Sequence, residues 1–562
     1  MEAGVIHSGE NPSNHSPIFT RIDLGSVDIS MEKSEDSRRV NWSKSSSEAR
    51  KKYQDTVRDR LAQLTVPDCA KCRDVHCSTH MEDMESYTTD LLEILAVSGQ
   101  ECLASTGGGK IRARQDHNIA GWVQYVRPYS DESKFWFATW CSAGKPRGGH
   151  LYDAMQYSKC QYKYAVRRLK RANNKLQNDK FVQGLLRGGC DIFQEIKKHR
   201  GKVATTSSRI DNQVGSHNIA NRFADLYGNL YNQHEHGTDI AELSQNISDS
   251  VETESLVDAD KVTPELVSKA LKQMKKGKND SLIDIQSDCL ASGPDDLVVH
   301  LARLLKSFII HGHVPSSLLI CTLLPLVKDN LADITSSDNY RAIASGSLLL
   351  KLLDIVILIL EGDKLSCDQL QFGFQAGAST SMCSWTATTV IEHYNRYGRP
   401  VFACAMDLSK AFDLVEWKSL FQLLRERKVS PIFLRLLLYV YCNQYCDVKW
   451  NSSLSKRFPM TNGVRQGAVS SPLLFSVYID DLIRQLRRSG FGCRIDSFFY
   501  GVLGYADDLL LLSASRTGLQ EMVKICEVFA KSRKLKFSTN CILLSQKPSV
   551  SFSPKQEGVV IR

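Results

Sequence analysis

The chain has 562 residues, of which 42% are hydrophobic and 24% charged, so it can bury a large core and is expected to fold into more than one domain. Its 71 Lys and Arg residues exceed its 62 Asp and Glu residues and leave a net charge of +9, which suits a polyanionic partner without requiring one. No basic segment followed by an apolar run opens the chain, and the most apolar stretch, residues 348–360, contains Lys351 and Asp354. The sequence therefore predicts neither a secretory signal nor a membrane-spanning helix. The 17 cysteines are an odd number and are expected to be reduced thiols of an intracellular protein of the nucleus or cytoplasm.

The N-terminal half is expected to contain a polar tail followed by helices. Residues 1–47 are rich in Ser, Asn, Glu and Arg with little periodicity, which predicts a disordered tail. Helical patterns and many cations predict a helical basic linker region over residues 48–217, and the polar, acidic composition that follows predicts a linker over residues 218–262. Thr263-Pro264 is a good helix start and predicts a helical extension over residues 263–305.

Four potential metal ligands lie close together in the helical basic region. They are Cys69, Cys72, Cys77 and His80. Thiolates and imidazoles are preferred ligands of zinc, although this spacing matches no common knuckle or finger. Two interpretations stay open, a zinc site and ordinary reduced cysteines in a helical turn.

Residues 157–175 mix aromatic and basic side chains at helical spacing. Their cations include Arg167, Arg168, Lys170 and Arg171. Such a helix can follow a phosphate backbone while its rings stack on bases, which predicts nucleic-acid binding. The alternative is a solvated helix face whose tyrosines contact the core.

Near the C-terminus, the adjacent acids Asp507 and Asp508 stand between two apolar runs of strand length. Because neighbouring side chains on a strand point to opposite faces, a pair that serves one site fits best at a tight hairpin turn. Burying two acids among leucines is costly unless something positive neutralises them, and a divalent cation is the obvious candidate. An isolated Asp pair could also be a solvated turn.

Two upstream stretches favour the metal interpretation. An apolar run, residues 402–406, ends on Asp407, and a third carboxylate at a strand end completes the minimum set that holds two hard cations for phosphoryl transfer. Between the acids, residues 462–472 form a glycine-containing loop whose backbone could approach a ligand closely.

These three stretches, in this order within about a hundred residues, resemble the palm motifs of reverse transcriptases, most closely those of non-LTR (LINE-type) retrotransposons. The resemblance runs from about Thr263 to about Asn540. It implies an α+β fold, with the fingers and palm of a right-hand polymerase over residues 306–562 and a mostly helical extension before them. The palm would combine an antiparallel sheet with packed helices.

The resemblance implies RNA-directed DNA polymerase activity, in which a primer 3′-hydroxyl attacks a deoxynucleoside triphosphate. The partners would be an RNA template, a DNA primer and a dNTP, and no membrane. The catalytic residues would be Asp407, Asp507 and Asp508. Two Mg²⁺ ions, or Mn²⁺ ions, would be held by three carboxylates and one backbone carbonyl, those of Asp407, Asp507, Asp508 and Leu408. Asp508 is the weaker candidate for direct coordination because its side chain cannot easily face the same ion as its neighbour's.

The resemblance also implies a nucleotide-binding set. Its members would be Lys328, Arg341, Phe412, Gln466 and Gly467. Lys328 and Arg341 would clamp the triphosphate through charge-assisted hydrogen bonds. The Phe412 ring would clash with a 2′-hydroxyl and select deoxynucleotides, although a lone Phe after a strand could also be a core residue.

Two features of the family are expected to be missing, the endonuclease and most of the helical thumb. After residue 540 the family continues through a lysine-rich loop into the thumb, whereas this sequence does not match that loop. We therefore expect a truncated or degenerate copy of a mobile element. Two alternative functions stay open, a catalytically inactive remnant that only binds nucleic acid and an RNA-synthesising polymerase with a similar palm.

Overall fold

The computed structural model describes residues 2–5, 18–21, 40–103, 122–186, 207–233, 238–280, 285–329, 332–465, 467–538 and 542–546. The chain divides into two compact units. One comprises Met1–Asp36 and Gly108–Thr205, and the other comprises Ser37–Gly107 and Thr206–Arg562.

Helices and short strands make up most of the described chain. The α-helices are α1 (Ser47–Leu61), α2 (Met81–Cys102), α3 (Trp122–Tyr125), α4 (Arg127–Ser142), α5 (His150–Leu186), α6 (Ser216–Tyr231), α7 (Thr238–Asp249), α8 (Leu256–Asp260), α9 (Pro264–Gln273), α10 (Ser287–Ala291), α11 (Asp295–His311), α12 (Leu348–Glu361), α13 (Thr380–Arg396), α14 (Trp417–Glu426), α15 (Pro431–Cys442), α16 (Ser471–Arg488) and α17 (Arg516–Ser532). The strands are β1 (Glu2–Val5), β2 (Ile18–Arg21), β3 (Arg209–Ile210), β4 (Gln213–Val214), β5 (Ile320–Val327), β6 (Tyr340–Ser345), β7 (Val401–Asp407), β8 (Tyr445–Trp450), β9 (Ser453–Leu454), β10 (Phe458–Pro459), β11 (Arg494–Ile495), β12 (Phe498–Phe499), β13 (Val502–Tyr505), β14 (Asp508–Ser513) and β15 (Ile542–Gln546).

The smaller unit contains the hairpin β1–β2 and the helices α3 to α5. Its helices share a small apolar core, in which Tyr162, Val166 and Leu169 of α5 pack with Trp122 and Val126. The three α5 residues lie one turn apart on one face of the helix, so the opposite face is left to solvent.

The palm sheet lies in the larger unit and has the strand order β13-β14-β7-β15, with every pair antiparallel. Helices α13, α16 and α17 pack against it. Their apolar residues and those of the strands belong to one continuous core. The α+β fold predicted from the sequence, an antiparallel sheet with packed helices, is confirmed.

A second sheet in the same unit has the order β10-β8-β5-β6, with β9 paired to β8. Strand β5 runs antiparallel to β6 and parallel to β8. The β5–β6 pair ends at Val327 and Tyr340, which places Lys328 and Arg341 at the same end of the sheet.

Parts of residues 1–47, the range predicted as a disordered tail, have regular structure or are buried where the structure describes them. Strands β1 and β2 form there, and Val40 and Trp42 are buried in the core of the larger unit. The Trp42 ring meets Tyr53 edge to face with 5.6 Å between the ring centroids. Its backbone N–H donates to Gln286 Oε1 at 3.0 Å. The hydrogen bond to Gln286 joins residues 244 positions apart, so a local polar composition does not reveal it.

Residues 218–262, the range predicted as an acidic and polar linker, are largely helical where the structure describes them. This range holds most of α6 and all of α7 and α8. In α6, Ile219, Phe223, Tyr227 and Tyr231 recur every four residues, and all four are buried. Four-residue spacing puts them on one helix face, whereas the polar residues of the other face dominate the average composition.

Two further domain boundaries differ from those predicted. The basic region of residues 48–217 is divided, because residues up to Gly107 and from Thr206 belong to the larger unit. The boundary between residues 305 and 306 falls inside α11, which continues to His311 and ends at Gly312 with φ 63°. Glycine adopts this left-handed conformation readily and ends the helix there.

The apolar run of residues 348–360 is a core helix, as predicted. It forms α12, whose buried residues include Leu352, Leu353 and Val356. Among the helices in the described ranges, none combines the length and the apolar character needed to cross a bilayer.

Candidate active site

The predicted hairpin around Asp507 and Asp508 is confirmed. Strands β13 and β14 pair from Val502 opposite Leu511 to Tyr505 opposite Asp508, so Ala506 and Asp507 form a two-residue turn. Ala506 has φ 59°, the left-handed geometry that tight hairpin turns require.

The three predicted acids meet at one end of the palm sheet. Strand β14 pairs with β7 so that Asp508 lies directly opposite Asp407, the last residue of β7. Asp507 stands beside them in the turn. Carboxylates about one hundred residues apart in the chain therefore share one site because the strands that carry them are neighbours.

The three carboxylates are close enough that their ionised forms repel one another. Burial, followed by the charges of Asp508 and Asp407, raises the pKa of Asp507, and Arg341 opposes this rise. Burial and the charge of Asp407 raise the pKa of Asp508. Crowded carboxylate oxygens are the donor set that hard divalent cations prefer, so these residues fit such ions.

The backbone after β7 is held by a short bridge between Leu408 and Phe537. Ser538 N–H donates to the Asp407 carbonyl at 2.7 Å, and Ser409 N–H donates to the Lys536 carbonyl at 2.9 Å. Neither of these two hydrogen bonds involves the Leu408 carbonyl, which the sequence resemblance assigns to a metal ion.

A cavity of about 650 Å³ opens beside the acids. Seven of the predicted site residues line it, namely Asp407, Leu408, Asp507, Lys328, Arg341, Phe412 and Gly467. Asp508 is not among the lining residues, which agrees with its lower rank as a direct ligand. A cavity of this volume is in the range of small-molecule sites.

Two cations border the same cavity at the end of the β5–β6 pair. Lys328 directly follows β5, and its Nζ donates to the Asp338 carbonyl at 2.8 Å. Burial lowers the pKa of Lys328, and the positive charges of Lys410 and Arg341 lower it further. Arg341 is exposed on β6. The cations repel one another as the acids do, and a bound anion would reduce this repulsion.

Phe412 is half-buried, and both interpretations of this residue have a basis. Its ring stacks on Phe475 with centroids 4.5 Å apart and an interplanar angle of 20°. It also meets Phe374 edge to face at 6.1 Å and lines the cavity. One side of the ring is thus packed while the ring still borders the space open to a ligand.

Gly467 lies very close to strand β6 of the second sheet. Its φ is 126°, and a Cβ there would lie 2.5 Å from the Ala344 carbonyl oxygen. Any larger residue would push the loop away from β6. Gln466, predicted as its partner in nucleotide binding, lies outside the described residues.

Gln371 holds the acidic turn, a role that sequence inspection did not identify. Its buried Oε1 accepts the N–H groups of Ala506 and Gly373, both at 2.9 Å. Its Nε2 donates to the Ala506 carbonyl at 3.3 Å. Nothing local in the sequence links Gln371 to Ala506, and only the fold brings the Gln371 amide against the turn.

Helix α6 supplies a wall of the cavity, which the sequence also failed to indicate. Leu226, Tyr227, Leu230 and Tyr231 line the cavity. The Tyr231 hydroxyl donates to Asp413 Oδ1 at 2.8 Å. The four-residue apolar spacing of α6 was the available signal.

The predicted zinc ligands come together only in part. Ligand atoms of Cys72, Cys77 and His80 all lie within 4.8 Å of one another, whereas Cys69 is not in this group. Cys69 is instead buried, and burial, followed by the charge of Asp83, raises the pKa of its thiol to about 11.

The predicted basic residues of α5 share one solvent-exposed face. Arg167, Arg168, Lys170 and Arg171 are all exposed. Of the nearby tyrosines, Tyr162 is in the apolar core of the smaller unit and Tyr164 is 65% exposed. Nucleic-acid binding by this face stays a prediction.

Comparison with known proteins agrees with this geometry. Residues 328–552 match the family described as reverse transcriptase (RNA-dependent DNA polymerase). The Pol polyprotein of the type-2 retrotransposable element R2DM of Drosophila melanogaster is 26% identical over 282 residues, which cover 48% of this chain and 26% of that protein. The Pol polyprotein of a type-1 retrotransposable element R2 of Nasonia vitripennis is 31% identical over 151 residues, 26% of this chain and 14% of that protein. The RNA-directed DNA polymerase of the mobile element jockey of Drosophila funebris is 23% identical over 352 residues, 60% of this chain and 38% of that protein.

The fold and the three acids therefore match the palm of a right-hand polymerase. More specifically, the chain contains a reverse transcriptase domain, and its relatives are the RNA-directed DNA polymerases of non-LTR retrotransposons. The resemblance seen in the sequence is confirmed. The chain spans between 14% and 38% of the length of these three relatives.

Proposed function

We propose that this protein is an RNA-directed DNA polymerase of a non-LTR retrotransposon. It would add deoxynucleotides to the 3′-hydroxyl of a DNA primer along an RNA template. The observation that supports this function is the cavity of about 650 Å³ that carries Asp407 and Asp507 together with Lys328 and Arg341.

Reverse transcriptases generally use divalent metal ions, and the donor set here fits them. We propose two ions, Mg²⁺ with Mn²⁺ as a substitute, held by Asp407, Asp507 and the Leu408 carbonyl, with Asp508 contributing mainly its charge. When bound, such ions lower the pKa of the attacking hydroxyl and stabilise the oxygens of the leaving pyrophosphate.

The protein's own residues would bind and orient the nucleotide. Lys328 and Arg341 donate charge-assisted hydrogen bonds to the triphosphate, which places the α-phosphorus near the acids. Phe412, supported by Phe475, lies under the sugar and excludes a 2′-hydroxyl. The close approach of Gly467 to Ala344 keeps the loop clear of the nucleotide.

Primer extension tests this proposal. The purified protein is given an oligo(dT) primer on poly(rA), dTTP and Mg²⁺. We expect extension by the native protein and none by Asp407→Asn. The matched control is Asp496→Asn in the β11–β12 turn, where φ 52° suits Asn as well as Asp. Equal extension by Asp407→Asn and the native protein would refute the catalytic assignment.

Binding to the same primer–template, measured at two salt concentrations, separates the alternative function. Binding to phosphates weakens with salt whether or not catalysis occurs. Binding by the native protein without extension under Mg²⁺ or Mn²⁺ would favour a catalytically inactive remnant.

A further inference from the structure

We propose that Cys72, Cys77 and His80 bind one zinc ion, which fixes the connection between α1 and α2. Ligand atoms of these three residues lie within 4.8 Å of one another, and each is partly buried. The site is in the same compact unit as the palm but is built from residues that the proposed polymerase chemistry does not use.

The histidine has the carboxylate partner that metal-binding histidines usually have. His80 Nδ1 lies 3.1 Å from Asp83 Oδ2, three residues further along α2. A carboxylate that accepts the Nδ1 proton leaves Nε2 unprotonated, and unprotonated imidazole nitrogen binds metal ions. Such a carboxylate partner also fixes the ring plane, so Asp83 positions the ligand.

The donor set selects zinc over the ions proposed for the palm. Two thiolates and one neutral imidazole form a soft set that favours zinc, whereas Mg²⁺ prefers oxygen ligands. When the ion binds, the two thiols lose their protons to solvent, and their two negative charges balance Zn²⁺. A water molecule completes the four-coordinate site, since the Cys69 thiol lies outside the group.

The connection that carries the ligands is seated on two helices of the polymerase core. On α11, Ser307 Oγ donates to the Cys69 carbonyl at 3.3 Å, and His311 Nδ1 lies 3.4 Å from the Cys77 carbonyl oxygen. On α15, Arg435 Nη1 donates to the Val75 carbonyl at 2.5 Å. In all three contacts, the connection contributes a backbone carbonyl oxygen and the helix contributes a side chain.

The ion would therefore stabilise the attachment of α2. This helix starts at Met81, directly after His80, and its Tyr87 hydroxyl lies 2.7 Å from His300 Nδ1 on α11. An ion that binds the folded chain and not the unfolded one adds its binding free energy to the stability of the folded state.

Metal analysis of the full-length protein, purified without chelators, tests the inference. We expect one zinc ion per chain in the native protein and loss of zinc in Cys72→Ser, Cys77→Ser and His80→Ala. Cys160→Ser, which changes an exposed cysteine of α5, is the matched control and should keep its zinc. Cys69→Ser should also keep it.

Cobalt titration of chelator-treated native protein does not depend on how the variants fold. We expect one equivalent of Co²⁺ to produce thiolate-to-metal charge-transfer absorption and the visible bands of a tetrahedral ion, and zinc to remove both. Removal of zinc from the native protein should lower its melting temperature, and adding zinc should restore it.

Three results would overturn the inference. They are a native protein that neither contains zinc nor binds Co²⁺, zinc retained in all three ligand variants, and zinc lost from Cys69→Ser. Loss of zinc from Cys69→Ser would mean that Cys69 belongs to the ligand set. A disulfide between Cys72 and Cys77 in the native protein would also overturn the inference, because it would leave no thiolates to bind zinc.

Discussion

The two strand pairs that border the cavity carry opposite charges and are held in different ways. The palm hairpin β13–β14 brings acids to a two-residue turn that the Gln371 amide clamps from the side. The fingers pair β5–β6 is joined by a longer connection, in which Lys328 N–H donates to the Asn339 carbonyl at 2.8 Å. The acids are thus tied to a core sheet, while Lys328 belongs to a connection held by its own backbone and Arg341 to strand β6.

The opposite charges of the two strand pairs indicate which kind of ligand the cavity would accept. Burial and like charges raise the pKa of Asp507 on one side, and burial and like charges lower the pKa of Lys328 on the other. Each side therefore holds charge that a ligand of opposite sign would relieve. A triphosphate with divalent cations, the ligand proposed above, would carry both signs and would satisfy both sides at once.

Removing a carboxylate from the palm side should have the largest effect. Asp507→Asn should lower the extension rate by about 1,000-fold, equivalent to about 4 kcal/mol, because it removes a ligand that acts on the transition state. The folded-state pKa of Asp507 is raised, so its ionised form costs stability once the pH is above the ordinary Asp range. The variant should therefore melt at a higher temperature than the native protein at neutral pH without divalent ions.

Added Mg²⁺ should stabilise the native protein more than Asp507→Asn. Thermal melts with and without Mg²⁺ measure both effects. A variant that is inactive and also melts lower without metal would mean that Asp507 supports the fold, contrary to the crowding of charges described above.

Removing a cation from the fingers side should have the next largest effect. Arg341→Ala loses charge-assisted bonds of about 1.5–3 kcal/mol, so kcat/KM for the dNTP should fall roughly 10- to 150-fold, mainly through KM. Arg341→Lys should recover part of this loss, since it keeps the charge without the planar fork. Arg58→Ala on the exposed face of α1 is the control. An unchanged KM in Arg341→Ala would exclude the triphosphate contact.

Opening the space under the sugar should change selectivity more than rate. Phe412→Ala should raise ribonucleotide use relative to deoxynucleotide use by about 10- to 100-fold, as expected for a steric contact. Phe475→Leu, which removes the ring that supports Phe412 but keeps Phe412 itself, should lower stability and raise this ratio less than Phe412→Ala does. The ratio of kcat/KM for the two nucleotides is the measurement, and an equal loss for both in Phe412→Ala would show that the ring is only a core residue.

Removing the hydrogen bonds that Gln371 makes around the turn should have the smallest effect. Gln371→Met keeps the side-chain length but removes the three hydrogen bonds to the turn segment and Gly373. With about 1 kcal/mol lost from positioning, kcat should fall roughly fivefold while KM stays nearly constant. Faster amide hydrogen exchange at Ala506 should accompany this. Exchange at the native rate would mean that the two strands alone hold the turn.

Much of the site could be predicted from short stretches of sequence. The hairpin around Asp507, the strand that ends on Asp407 and the core helix α12 each have a local pattern of apolar and polar residues. The contribution of α6 could have been found from its four-residue apolar spacing. The Gln371 clamp could not, because one polar residue in a loop carries no sign of the backbone that it will meet.

The sequence by itself determined the class of the protein, because adjacent acids between apolar runs and the ordered motifs around them are local features. Only the tertiary structure decided which residues share the cavity. Register places Asp508 opposite Asp407, the α6 face lines the cavity beside the palm acids, and Cys69 stays apart from Cys72, Cys77 and His80. Such pairings depend on the packing of distant segments, whose energy is summed over many contacts and is not written in any single stretch.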